Sequence, residues 1–267
     1  MRFLTAAPLL ALAACNLANP DPGGTEDEAE TEASAAPSTP SDCLRETFEG
    51  SVLTRCVADP EMHRIVLALK DNDGRVFRTM PDYAARRPAD AAPVAFAMNA
   101  GMYDEVGEPI GYYVENGERI HELNRNEGPG NFHLKPNGVF YVAAPGEWRI
   151  RTTSEFYEKV MDRPLFGTQS GPMLVIDGAI HPEFSEDGDS RKTRNGVGID
   201  ASGRAHFVIS EGPISFGKFA RYYRDEVQAE DALFLDGSVS SLWDPANDRL
   251  DIGPELGPLV VVERKAG

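Results

Sequence analysis

From residue 43 onward, short apolar runs alternate with turn-forming residues, at a spacing that suits strands better than helices. The run 65–69 meets Asp73-Gly74 and continues at 75–77. Residues 93–98 are an unbroken apolar stretch, the pattern of a strand buried on both faces. The runs 110–114 and 119–120 flank Asn116-Gly117, and 173–176 and 179–180 flank Asp177-Gly178. Both dipeptides tolerate the positive φ that a two-residue hairpin loop needs, so each predicts a hairpin. Residues 138–143 follow Pro136-Asn137, 197–200 and 206–210 flank Ser202-Gly203, and 259–262 reads as a closing strand.

Helical periodicity is scarce. One helix is expected over 153–163, beginning at Thr153 or Ser154, with Phe156, Tyr157, Val160 and Met161 on one side. A second is expected over 215–228, with Ser215 as N-cap and Phe216, Phe219, Tyr223 and Val227 forming one face. The pattern predicts an α+β domain: a large, mostly antiparallel sheet system with a few packed helices. There is no internal repeat, GxGxxG, P-loop or HExxH, and the sequence leaves any cofactor or metal requirement unknown.

The first 42 residues read differently. Arg2 precedes an apolar stretch that ends at Leu12-Ala13-Ala14-Cys15. That stretch has the length of a signal-peptide core and is too short for a bilayer span, which takes about 20 apolar residues. The tetrapeptide resembles the bacterial lipobox, in which a lipid is joined to the cysteine and the chain is cut before it. Residues 1–15 are therefore expected to be a lipoprotein signal with Cys15 as the lipidation site; an ordinary cleaved signal is the alternative. Asn16, in place of Asp, points to an outer-membrane protein facing the periplasm. Residues 16–42, built of Pro, Ala, Ser, Thr, Asp and Glu, cannot repay the entropy of ordering and read as an acidic tether. Residues 43–267 form the folded domain. Cys43 and Cys56 remain, and two cysteines in an exported chain predict one disulfide; free thiols are the alternative.

The net charge is −17, from 43 acidic and 26 basic residues. The tether's seven acids and Arg2 account for six of these charges, leaving −11 on residues 43–267. So acidic a domain lacks the basic footprint of a nucleic-acid binder. It is also repelled by anionic lipid, so any membrane attachment must come from the lipid anchor alone. The oligomeric state is not legible.

Five segments break the strand texture with small polar residues: AMNAGMYD (97–104), GNFHLKPNGVFYV (130–142), TQSGPMLVIDG (168–178), RNGVGID (194–200) and LFLDGSVSSLW (233–243). Asp236 directly follows an apolar strand, and a carboxylate there is costly unless it is hydrogen-bonded. It either serves chemistry or caps its own turn. The five His show no metal-ligand spacing, and His133 and His181 read as structural. Trp148 and Trp243 suit either a core or a sugar-stacking surface.

In this order, the five segments resemble the phosphodiester glycosidase family, the domain of the lysosomal uncovering enzyme, and are most similar to its bacterial, often exported branch. The resemblance runs from Cys43 to Val262 and includes the cysteine pair. It implies a carbohydrate or sugar-phosphate substrate and cleavage of a glycosidic bond to phosphate. Position by position, it implicates Asn99, Gly101, Thr168, Ser170, Gly171, Arg194, Gly237 and Ser240 in substrate binding and Asp236 in catalysis. Arg194 suits a phosphate because its guanidinium is a rigid fork of donors. Glu211 is the second carboxylate to inspect and Asp104 the third. Relatives often carry Asp-Gly-Gly where this chain has Asp236-Gly237-Ser238. The rival reading is a non-catalytic module that binds a cell-envelope glycan or phosphoglycan.

Overall fold

The computed structural model of the protein describes residues 40–266. Cys15, the signal segment and most of the tether lie outside the described residues.

The strands in chain order are β1 (Cys43–Phe48), β2 (Ser51–Ala58), β3 (His63–Ala68), β4 (Val94–Asn99), β5 (Tyr113–Glu115), β6 (Glu118–His121), β7 (Gly138–Ala143), β8 (Glu147–Thr152), β9 (Gly167–Ser170), β10 (Met173–Ile176), β11 (Ala179–Ile180), β12 (Asn195–Ile199), β13 (Ala205–Ser210), β14 (Asp231–Phe234), β15 (Leu242–Asp244), β16 (Arg249–Leu250) and β17 (Leu259–Arg264). The helices are α1 (Met80–Arg86), α2 (Thr153–Lys159) and α3 (Phe216–Arg221). One sheet has the order β1-β2-β13-β12-β14-β10-β11, a second β16-β15-β4-β17-β3 and a third β6-β5-β9-β7-β8. The strand pairings are antiparallel. The chain is thus α+β, with the sheets dominant.

The main core lies where the sheets face one another. Phe96, Phe140 and Phe207 come one from each sheet, with ring centroids 5.6 Å apart for Phe96–Phe207 and 5.8 Å for Phe140–Phe207. Every residue of β4 is buried, as its unbroken apolar run requires. A second cluster forms where Phe219, Tyr222 and Tyr223 cover Leu174, Val208 and Phe234 of the seven-stranded sheet.

The expected hairpins form at Asn116-Gly117 and Asp177-Gly178, where all four residues have positive φ. β12 and β13 pair across the turn at Ser202-Gly203. Cys43 lies opposite Cys56 in the β1–β2 hairpin, and the two are joined in a disulfide.

Some expectations are corrected. Residues 75–77 make only a single bridge, Lys70 to Val76, because Asp71 ties down the turn with its side chain. The helix expected over 153–163 is shorter: Thr152 caps it through Glu155 N–H, and it ends at Lys159. The helix over 215–228 does begin at Ser215, which accepts from Lys218 N–H, but becomes a π-helical turn over Tyr222–Glu226.

Candidate active site

Several strands end or begin at one edge of the sheets. β4 ends at Asn99, β9 at Ser170 and β13 at Ser210; β12 begins at Asn195, and Asp236 follows β14 by two residues. β12 and β14 are direct neighbours, with Gly196 opposite Phe234, so Arg194 and Asp236 leave adjacent strands on the same side.

Asp236 is held by its backbone. Its N–H donates to the Ala100 carbonyl at 3.2 Å, and its carbonyl accepts from Asn99 Nδ2 at 2.7 Å. Asn99 Oδ1 accepts from Asn195 Nδ2 and from Ser241 N–H, both at 3.0 Å. The Asn99 amide therefore makes its hydrogen bonds inside the protein. Ser240 Oγ lies 2.8 Å from the Gly237 carbonyl and 3.3 Å from Asn195 Oδ1 and donates to one at a time.

The Asp236 carboxyl is left largely to itself. Oδ1 accepts from Ser238 Oγ at 2.8 Å. Burial pushes its pKa above the ordinary carboxylate value, against the hydrogen bonds from the Ser238 hydroxyl and backbone. Among the described residues no cationic side chain pairs with it. Ser238 thus supplies the side-chain hydrogen bond to this carboxyl. Tyr103 feels the same carboxylate. Its pKa is raised to about 12, by burial first and by the Asp236 charge second.

Arg194 is buried and has no carboxylate partner among the described residues. Nε donates to the Ile214 carbonyl at 2.9 Å, and Nη2 lies 2.8 Å from the Ser190 carbonyl and 3.2 Å from Ser190 Oγ. The guanidinium carbon sits 3.4 Å from the Phe216 ring centroid and 5.5 Å from that of Phe234. Burial pushes its pKa down to about 10. An uncompensated cation in an apolar setting projects a strong positive potential, and an anion is its natural complement.

Two glycines allow the close packing. A Cβ on Gly237 would lie 2.6 Å from the Phe234 ring and 3.0 Å from Arg194 Cα, so the Asp236 turn presses directly on the Arg194 backbone. A Cβ on Gly101 would lie 2.3 Å from the Gln169 carbonyl; its N–H donates to Thr168 Oγ1 at 3.2 Å. Thr168 and Ser170 are two apart on β9 and so share a face. Ser170 Oγ is buried without a partner among the described residues. Gly171 packs on Asn137, and the carbonyl of the next residue, Pro172, accepts from Phe234 N–H at 3.1 Å.

Residues 92–249 match the profile of the phosphodiester glycosidase family. The chain belongs to that family. It is 36% identical over 185 residues to the uncharacterized protein YigE of Escherichia coli (strain K12), a match that spans 69% of this chain and 71% of YigE. Its fold is similar to the catalytic domain of zebrafish N-acetylglucosamine-1-phosphodiester alpha-N-acetylglucosaminidase, auto-inhibited by its pro-peptide. That TM-score is 0.56 at 13% identity, over 84% of this chain and 82% of the zebrafish one. A hypothetical protein from Synechocystis gives a TM-score of 0.52 at 15% identity, over 84% of this chain and 61% of its own.

Within this family framework, the other two carboxylates stand apart from Asp236. Glu211 is exposed, with Oε1 accepting from Arg249 Nη1 and Thr54 Oγ1, both at 2.5 Å. Arg249 also grips Asp251 at 2.9 Å, so Glu211 belongs to a surface ion-pair network. Asp104 caps its own turn, with Oδ1 accepting from Val106 and Glu108 N–H at 3.0 Å each. Trp148 is buried in the main core and Trp243 half-buried beside Tyr83. Among the described residues no three His, Cys, Asp or Glu converge as metal ligands. A cavity of about 500 Å³ lined by Arg149, Arg151, Lys159 and Arg163 touches neither Asp236 nor Arg194.

Three residues near the site were not singled out from the sequence. Asn195, at the start of β12, and Gln169, within β9, are fully buried amides, a signal present in RNGVG and TQSG. Gln169 uses both ends: Nε2 donates to the Asn124 carbonyl at 2.7 Å and Thr153 Oγ1 at 3.0 Å, and Oε1 accepts from Tyr112 and Asn124 N–H at 2.8 and 2.9 Å. Ser190 carries no comparable signal, lying in a polar loop.

Proposed function

We propose that this protein is a hydrolase of the cell envelope that cleaves the glycosidic bond of a sugar-1-phosphodiester, with Asp236 as the catalytic carboxylate and Arg194 as the phosphate cation. What carries the reading is the Asp236 carboxyl: fixed through its backbone, raised in pKa by burial and free of any cation among the described residues. As the bond between the anomeric carbon and the phosphate oxygen breaks, positive charge develops on the sugar. A carboxylate beside it stabilises that charge, as nucleophile or as base for the attacking water. The bond electrons leave with the phosphate, a fair leaving group, so stabilising its charge matters more than protonating it. In this scheme phosphate oxygens replace the Ser190 acceptors on the Arg194 guanidinium. Thr168 and Ser170 supply hydroxyls, and Gly101, Gly171 and Gly237 let the backbone approach closely.

The test is release of free sugar from a panel of sugar-1-phosphodiesters by wild-type protein and Asp236→Asn. Turnover that Asp236→Asn abolishes supports the reading. Saturable binding without turnover favours the glycan-binding module instead.

We also propose that Cys15 carries a lipid that anchors the domain to the outer membrane, facing the periplasm, through the tether. Mass spectrometry of the membrane fraction should find the acylated N-terminus. Recovery of only soluble protein, with Cys15 removed or unmodified, would sink the idea.

A further inference from the structure

We propose that Asn195 is a positioning residue for Asp236, holding its turn in place through Asn99; this rests on the reading of Asp236 as the catalytic carboxylate. Asn195 sits at the start of β12 and is fully buried. Its Nδ2 is shared between the Asn99 carbonyl at 3.1 Å and Asn99 Oδ1 at 3.0 Å. Its Oδ1 faces Ser240 Oγ at 3.3 Å, and its own carbonyl accepts from Leu235 N–H at 3.0 Å. One residue therefore grips the chain on both sides of Asp236: at 235 through its backbone and at 240 through its side chain. Through Asn99 it also reaches the Asp236 carbonyl itself.

The Asn99 contact fixes an orientation. Asn99 can donate Nδ2 to Asp236 only while its Oδ1 points toward Asn195 and Ser241. A flipped Asn99 amide would set its NH₂ against the Asn195 NH₂ and the Ser241 N–H and its oxygen against the Asp236 carbonyl, three repulsive pairs in a buried place. Asn195, from the seven-stranded sheet, thus joins the Ser241 N–H in fixing the amide orientation of Asn99 at the end of β4, and that side chain holds the turn bearing the carboxylate. Catalytic groups need such support, because a displacement of about 1 Å can cost about a hundredfold in rate.

The experiment compares wild type with Asn195→Ser and Ser240→Ala, by steady-state kinetics and by NMR titration of the Asp236 carboxyl. Asn195→Ser is neutral and small, and its hydroxyl is too short to reach Asn99. The expected result is a kcat at least about tenfold lower with KM within about twofold, the signature of lost positioning rather than lost binding. The Asp236 pKa should also fall toward the ordinary carboxylate value as a loosened turn admits water. Ser240→Ala should move both quantities the same way by a smaller amount. A folded Asn195→Ser protein with unchanged kcat and unchanged Asp236 titration overturns the proposal, even if its melting temperature falls. If Asn195→Ser does not fold, unchanged values in Ser240→Ala overturn it. An inactive wild-type protein counts against the hydrolase reading instead. The NMR titration then decides the positioning role by itself, and equal Asp236 values in wild type and variants reject it.

Discussion

Asn99 and Asp236 lie 137 residues apart in the chain, yet the Asn99 amide donates to the Asp236 carbonyl at 2.7 Å. The contact joins the end of β4, in one of the two five-stranded sheets, to the turn after β14 in the seven-stranded one. It is made to the backbone of Asp236, as is the contact from its N–H to Ala100. The side chain is therefore held in place without being engaged, apart from the hydroxyl and backbone of Ser238. A group that must change its interactions during a reaction is best supported in this manner.

Arg194→Lys tests the cation. The ammonium keeps the charge but cannot span Ile214 and Ser190 or lie flat on Phe216 as the guanidinium does. The expected outcome is a KM for the phosphodiester raised by about tenfold or more, measured by initial rates at fixed ionic strength. An unchanged KM would place the phosphate elsewhere.

Replacing Cys43 and Cys56 together by Ser removes a cross-link between residues 13 apart in sequence. The loop-entropy argument assigns such a bridge about 3 kcal/mol. For a domain of this size that corresponds to a melting temperature lower by about 6–12 °C. Calorimetry with and without reductant checks it: reductant should lower the wild-type value toward that of the variant and leave the variant unmoved.

Much of the fold is legible in the chain because its turns announce themselves. Asn116-Gly117 and Asp177-Gly178 fix hairpins by the positive φ they accept, and the apolar run at 93–98 marks β4, the all-buried strand whose last residue is Asn99. The β1–β2 hairpin and α1 give weaker signals. β1 is a half-exposed edge strand of charged residues, and its turn uses Glu49-Gly50. α1 is a two-turn helix started by Thr79 and Pro81 rather than by any long periodicity. At the candidate site, residue type and motif single out Asp236 and Arg194, and the fold sets them at the ends of neighbouring strands. The use of Asn99 is not legible, because a buried amide in a strand reads alike whether it faces a ligand or a carbonyl 137 residues away. Glu211 is the opposite case. A carboxylate at a strand end looks available in one dimension, and only the fold brings Arg249 to it.

Asp231 offers a stability test away from the site. Burial raises its pKa to about 6; the Asp177 N–H hydrogen bond opposes this, and the charges of Asp177, Glu155 and Glu230 add to it. A carboxyl whose folded pKa lies above its unfolded value stabilises the fold at low pH, and that contribution is lost as pH rises. Below about pH 4 the group is protonated in both states. Between about pH 4 and 6 the folded state resists ionisation, and above that the cost is complete. Asp231→Asn should therefore match wild type near pH 4 and exceed it near pH 8, by about 1–2 kcal/mol after allowing for partial exposure. Denaturant melts at the two pH values decide it; a gain of equal size at both would assign the effect to packing.

Asp236→Asn should separate activity from stability. The carboxamide has nearly the carboxylate's shape, its oxygen can still accept from Ser238 Oγ, and the backbone contacts to Asn99 and Ala100 do not involve the side chain. What disappears is the negative charge. If that charge stabilises the developing cation on the sugar, kcat should fall by about a thousandfold or more while substrate binding stays within a few-fold. The same charge is a burden on the fold, since burial pushes the carboxyl pKa up. By the sign argument used for Asp231, the wild-type protein loses stability as pH rises through the raised pKa, and the amide does not. Asp236→Asn should thus melt higher than wild type at neutral pH, with the difference vanishing in acid. Loss of turnover with gain of stability is the pattern of a group kept for chemistry. Full turnover in Asp236→Asn would remove Asp236 from the mechanism. A lower melting temperature at neutral pH would mean that the carboxylate caps its own turn, the structural alternative that the sequence leaves open.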